Sequence, residues 1–135
     1  MEEVIEHLVN PDNALRETHR VLRHGGLFVV TTPNLAWWVN RIVLMLGYQP
    51  YWTEVSTMFN VGKFHRRINA PLSGHPRLYT FRSLRNLLKL HGFMVIKVLG
   101  VAYRACEPFM VCMLDRLLGL RPSLAEVIVI LAMKP

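Results

Sequence analysis

Hydrophobic positions recur along this chain with a period that changes every ten to fifteen residues, and the changes mark out its elements. Asn10 precedes Pro11, and Ala14, Leu15, Thr18, Val21 and Leu22 follow at three-and-four spacing, which predicts a helix from about Pro11 to His24 with one buried face. Gly25-Gly26 supplies the left-handed stop. The run Leu27 to Thr32, ended by Pro33, reads as a strand buried on both faces in a parallel sheet. From Leu35 to Leu46 the helical period returns, with Trp37, Trp38, Ile42, Met45 and Leu46 giving a broad apolar face and Gly47 closing it.

A long irregular stretch, Gln49 to Pro76, follows, and segments of that length inside a compact domain are commonly lids. Its aromatics Tyr51, Trp52, Phe59 and Phe64 are read as packed against the domain. Thr80 caps a helix over Phe81 to Leu90, with Leu84, Leu87 and Leu88 on its face and His91-Gly92 at its stop. Phe93 to Leu99 is a strand, Pro108 to Leu118 a further apolar helix, and Glu126 to Met133 a last, aliphatic strand. The alternation of helices and strands argues for an α/β layered sheet.

Composition narrows the class without changing this picture. The 135 residues make one domain by length, and 52% apolar against 19% charged residues excludes a disordered chain. A net charge of +7 is spread along the chain. Its densest cluster, Lys63 to Arg67 with Arg77, Arg82 and Arg85 beyond, reads first as solvated surface and second as a contact for an anionic substrate or a peripheral membrane contact. No nucleic-acid partner is expected. Cys106 and Cys112 form no CxxC motif, and no signal peptide opens the chain, so a reduced, cytoplasmic setting is the default. Leu35 to Leu46 falls short of the ~20 apolar residues of a membrane span.

The residue types that carry chemistry gather in two places. Glu3, Glu6 and His7 are spaced so that one helical turn would set two carboxylates and an imidazole on one face. His75 stands in the long irregular stretch, and either His7 or His75 suits a general base, with a structural role for His75 equally open. Thr31, Thr32 and Asn34 end the first strand, where a substrate would lie in an open α/β sheet; Asn34 also suits a cap on the next helix.

The string Glu3-Val4-Ile5-Glu6-His7-Leu8, then Asn10-Pro11, Arg20 to Gly26, Leu27 to Thr32 and Pro33-Asn34, resembles the second half of the class I S-adenosylmethionine-dependent methyltransferase core. Gly74-His75-Pro76-Arg77-Leu78-Tyr79-Thr80, followed by the Leu-rich helix and His91-Gly92-Phe93, resembles its next segment. The resemblance implies an incomplete Rossmann-like fold over residues 1–135, with a helix and lid insertion at about 35–76. The chain would supply the end of the fourth strand and the fifth, sixth and seventh strands, the last antiparallel. It implies methyl transfer from S-adenosylmethionine to a small-molecule, sugar-linked or lipid-linked acceptor, on oxygen by first preference.

Within the resemblance, Glu3 and Glu6 line the cofactor, Thr32 and Asn34 the substrate, and His7 and His75 act in catalysis. Glu-x-x-Glu-His is also similar to the metal site of some RNA and quinone-ring O-methyltransferases, which would give Glu3, Glu6, His7 and His75 to Mg²⁺ or Mn²⁺; many members with this string hold no metal. No GxGxG turn occurs in the sequence. The alternative is therefore a non-catalytic or accessory chain that needs a partner, and an exposed strand edge predicts self-association or a partner chain.

Overall fold

The computed structural model describes residues 1–64, 70–102 and 109–135. His65, Arg66 and Arg67 of the basic cluster, Cys106, and Pro108 at the expected start of the last helix lie outside the described residues. A three-stranded sheet is formed by β1 (Leu27–Pro33), β2 (Met94–Val101) and β3 (Val127–Met133) in the order β1-β3-β2. Aliphatic β3 occupies the centre and runs antiparallel to both neighbours, with Val30 opposite Ile130 and Val98 opposite the same residue on the other side. Its antiparallel course is the one the resemblance implied.

The first residues extend the sheet beyond β1. Met1–Glu3 runs alongside it in parallel, with Glu2 bridged to Thr31, the Met1 amino group donating to the Val29 carbonyl at 2.8 Å and Thr31 N–H to the Met1 carbonyl at 3.0 Å. A single 3-10 turn, Ile5–His7, follows. Helices α1 (Pro11–Val21) and α3 (Phe81–Leu90) pack on one face of the sheet, where Leu15, Leu84 and Leu88 are fully buried against Phe28, Val30, Ile128 and Ile130. Each such side chain contributes about 1.5–3 kcal/mol of burial free energy.

Both helices start where their caps place them. Asn10 accepts from Asn13 N–H at 2.9 Å, and Thr80 and Ser83 bond reciprocally in a capping box. Each cap is worth about 1 kcal/mol. The stop of α3 is tied to the start of α1 by His91 and Asp12, 2.9 Å apart.

Two expectations need correction. β1 is not buried on both faces of a parallel sheet: its only long partner is the antiparallel β3, and Leu27 and Val29 are exposed. The reason is that α1 and α3 cover only one face, so the alternate side chains of β1 and β2, Met94 and Leu99 among them, meet solvent. The helix expected over Leu35 to Leu46 is α2 (Trp38–Met45), and its buried residues are Asn40 and Val43, while Ile42, Met45 and Leu46 are exposed. Asn40 wins the inside because its amide is consumed there, donating to the Leu35 carbonyl at 3.2 Å and accepting from Tyr51 N–H at 2.7 Å. In the irregular stretch Tyr51, Trp52 and Phe64 are half-buried, but Phe59 is exposed.

The last helix, α4 (Phe109–Gly119), leans on β2 where Gly100 leaves room. A methyl group at Gly100 would press on the Gly119 carbonyl oxygen and the Ala125 side chain at once, and backbone cannot step aside. Gly100→Ala is therefore expected to lower stability by about 1–3 kcal/mol. Leu90→Ala, at a position 84% exposed, should stay within about 0.5 kcal/mol. Denaturant midpoints of the two variants against the parent check both.

Candidate active site

The carboxyl end of β1 and the amino end of β3 meet at one edge of the sheet, and the side chains of interest converge there. Chain direction explains it: Met1–Glu3 and β1 run in parallel and finish together, and β3, being antiparallel, begins where they finish. Glu3 then takes φ +48°, and this left-handed step turns the chain into the Ile5–His7 turn. Glu3 consequently faces Thr31, whose hydroxyl donates to its carboxylate at 3.2 Å, while Glu6 points into the protein. The predicted single helical face carrying Glu3, Glu6 and His7 is not formed, because the turn is 3-10 and excludes Glu3.

Glu6 is fully buried. One carboxylate oxygen accepts the Thr32 hydroxyl at 3.0 Å, and the other has no partner among the described residues. His7 lies beside it with Nδ1 2.9 Å from the Gly74 carbonyl oxygen. A carbonyl can only accept, so Nδ1 carries a proton directed at Gly74 and Nε2 is the ring's other nitrogen. His75 meets His7 edge-on, with ring centroids 4.5 Å apart. It makes a backbone hydrogen bond with Trp52, and its Nδ1 has no partner among the described residues. Ligand atoms of Glu6, His7 and His75 all lie within 4.8 Å of one another.

Glu54 holds His75's segment in place, its carboxylate accepting from the N–H groups of Ser73 and Gly74. Beside these residues opens a cleft of about 530 Å³, walled by Glu3, Pro33, Trp52, Leu72, His75 and Val127 among others and mostly apolar.

Thr32 and Asn34, expected at the substrate, are both fully buried. Thr32 is occupied by Glu6. The Asn34 amide donates to the Ala125 carbonyl at 2.8 Å and accepts from Ala36 N–H at 2.9 Å, so it stitches β1's exit to the start of β3. It is not the cap of α2, a position held by Trp37.

The model of a methyltransferase domain family matches residues 1–98. The chain belongs to that family. The chain is also similar to solved structures. One is an S-adenosylmethionine-dependent methyltransferase from Thermotoga maritima described as a possible histamine N-methyltransferase, with 16% identity and a TM-score of 0.61 over 100% of this chain and 54% of that one. Another, an S-adenosylmethionine-dependent methyltransferase from Mesorhizobium loti, has 15% identity and a TM-score of 0.52 over 98% of this chain and 58% of that one. No curated protein matches by sequence. The chain thus carries part of the Rossmann-like methyltransferase fold and spans about half the length of these structures.

Three residues of the candidate site escaped sequence reasoning. Trp52 sits 6.2 Å from His75 ring to ring, Glu54 positions the His75 segment, and Tyr79 buries a hydroxyl without a partner among the described residues. Only Glu54 left a signal, as the sole acidic residue between Leu35 and Pro76.

Burial also sets the proton affinities at this edge. It pushes the Glu3 carboxyl up, with the Glu6 carboxylate adding to the effect, and it pushes the Tyr79 phenol up. Desolvation, then the charge of His7, holds the His75 imidazole below its usual 6.5. The folded state therefore takes up this proton later than the unfolded chain, so His75 lowers stability as pH falls through 6.5 and ceases to do so above it. A ring-proton NMR titration should place the His75 midpoint below 6.5. His7→Gln, which removes the neighbouring charge, should raise that midpoint; an unchanged value would mean that the two rings do not sense each other.

Proposed function

We propose that this chain carries the acceptor side of a methyl transfer from S-adenosylmethionine to an oxygen of a small-molecule or lipid-linked acceptor, with His75 and His7 taking the acceptor's proton. One observation carries the reading: each imidazole has one nitrogen fixed by a backbone hydrogen bond, His7 to Gly74 and His75 to Trp52, and the other nitrogen has no partner among the described residues, that of His75 being buried. Rings held this way are oriented bases, and proton transfer to a positioned base contributes about 10²–10⁴ in rate.

S-adenosylmethionine, when bound, supplies an electrophilic methyl group on a cationic sulfur. The half-buried Glu3 carboxylate at the cleft and the apolar walls around it fit that cationic end of the cofactor. Glu6, wholly buried with one oxygen held by Thr32, fits the role of a nearby negative charge for His7 and His75 better than that of touching the cofactor. With no Gly-rich turn in the sequence, the residues here fit the methyl-bearing end of the cofactor and leave its nucleoside unprovided for. The mostly apolar cleft beside His75 gives an acceptor hydroxyl a place to lie, where a displacement would need its nucleophile within ~3–3.5 Å of the methyl carbon.

A second reading is favoured by the convergence of Glu6, His7 and His75. Two imidazole nitrogens and one carboxylate oxygen, with backbone hydrogen bonds fixing both rings, form a donor set for a divalent ion that would polarise an acceptor hydroxyl. Without Glu3 the set is imidazole-rich and suits Mn²⁺ better than Mg²⁺.

In protein with methyl-transfer activity, His75→Ala should lower kcat by about 10²–10⁴ with a smaller change in KM. His91→Ala, whose ring is tied to Asp12, should leave both unchanged. Activity that survives His75→Ala and His7→Ala together would remove the base reading. Full activity in chelator, with no selective broadening of the His7 and His75 ring signals by Mn²⁺, would remove the metal.

A further inference from the structure

Helices α2 and α4 each bury a polar residue and leave several aliphatic ones exposed among the described side chains. α2 buries Asn40 and leaves Leu44, Met45 and Leu46 exposed, Met45 at 86%. α4 buries Asp115 to 1% exposure and leaves Met113 and Leu117 exposed, with Leu120 just beyond its end at 79%. Burying the polar residue and solvating the aliphatic ones is the reverse of what water selects on a free surface. The polar residues are not buried idly. The Asp115 carboxylate accepts both indole N–H groups of Trp37 and Trp38 at 2.8 Å, which ties the start of α2 to the middle of α4.

We propose that these two exposed faces form a docking surface for an anionic lipid bilayer. Charge decides the occupant. Among the described residues of 35–53 and 109–125 the exposed charged side chains are Arg41, Arg116 and Arg121, all cationic, and the one acidic residue, Asp115, is withdrawn into the protein. Aliphatic side chains flanked by arginines match a headgroup region carrying negative charge above an acyl layer. No helix among the described residues is long and apolar enough to cross a membrane, so the surface lies on the bilayer.

Topology puts this surface beside the cleft. α2 leaves the carboxyl end of β1, and α4 lies between the carboxyl end of β2 and the amino end of β3, all at the edge where Pro33 and Val101 both pair with Val127. Docking there sets the mouth walled by Pro33 and Val127 close to the lipid. The proposal stands apart from the reaction proposed above and survives its failure.

Vesicle flotation tests it with the full chain, since aggregates sink while bound protein floats. The chain should float with phosphatidylglycerol-containing vesicles and at least tenfold less with pure phosphatidylcholine, and binding should weaken at 0.5 M salt, where the Debye length is about 4 Å. Met45→Glu with Leu117→Glu should reduce flotation at least tenfold with an unchanged circular dichroism spectrum. Arg116→Glu with Arg121→Glu, which leaves the apolar face intact, should do so as well. Leu90→Glu, equally exposed but on α3, should not. Absence of flotation, or flotation indifferent to both pairs, overturns the proposal. So does conversion of an oligomer to a monomer by Met45→Glu with Leu117→Glu in a parent chain that does not float, which would assign the surface to contacts between copies.

Discussion

β3 pairs on both of its edges, and the rest of the molecule takes its position from that double pairing. Val127–Met133 has a full strand on each side, whereas β1 has only the short Met1–Glu3 segment on its far side, and the antiparallel course of β3 brings the exits of β1 and β2 to the place where it begins. Its inward residues Ile128, Ile130 and Ala132 are fully buried under α1 and α3. A central strand of this kind satisfies its whole backbone within the sheet, so it tolerates an aliphatic sequence that an edge strand would turn into an association hazard.

The price of arranging chemistry at that edge is buried polarity. Glu6, Thr32, Asn34 and Asp115 are all nearly or wholly inaccessible to water, and each is stabilised by a specific partner: Thr32 for Glu6, the Pro122 to Ala125 segment for Asn34, two indoles for Asp115. Buried polar groups cost free energy unless bonded, and those bonds fix geometry as they offset the cost. Buried atoms without partners among the described residues include one Glu6 oxygen, Asn60 Oδ1, His75 Nδ1 and the Tyr79 hydroxyl, and two of these residues, Glu6 and His75, belong to the cluster at that edge.

The sequence exposed the elements well and the site only in part. Caps and stops are local chemistry, so Asn10-Pro11, Thr80 and the strand runs located α1, α3 and β1 to within a few residues. Which face of a helix turns inward is set by tertiary hydrogen bonds, and for α2 those of Asn40 outweigh the pull of Ile42 and Met45 toward the core. The ordered set of family motifs identified the fold, and the spacing of Glu6 and His7 with distant His75 pointed at the cluster. Glu3 could not be separated from Glu6 by spacing, since its left-handed backbone is invisible at that level. Trp52 and Glu54 were hidden for a different reason: an irregular segment has no period from which to read what it touches.

The opposite end of the sheet has a quieter character. There Lys134 N–H donates to the Gly26 carbonyl, Gly25 N–H donates to the Lys134 carbonyl, and His24 Nδ1 lies 2.6 Å from the Pro135 carbonyl oxygen. Chemistry, cleft and apolar helices all occupy the other pole, a strand's length away. The molecule is therefore polarised like a stamp with a handle: a tether joined at Pro135 would leave the working pole facing outward, and a chain immobilised through it would keep its reacting edge turned to whatever surface is brought before it.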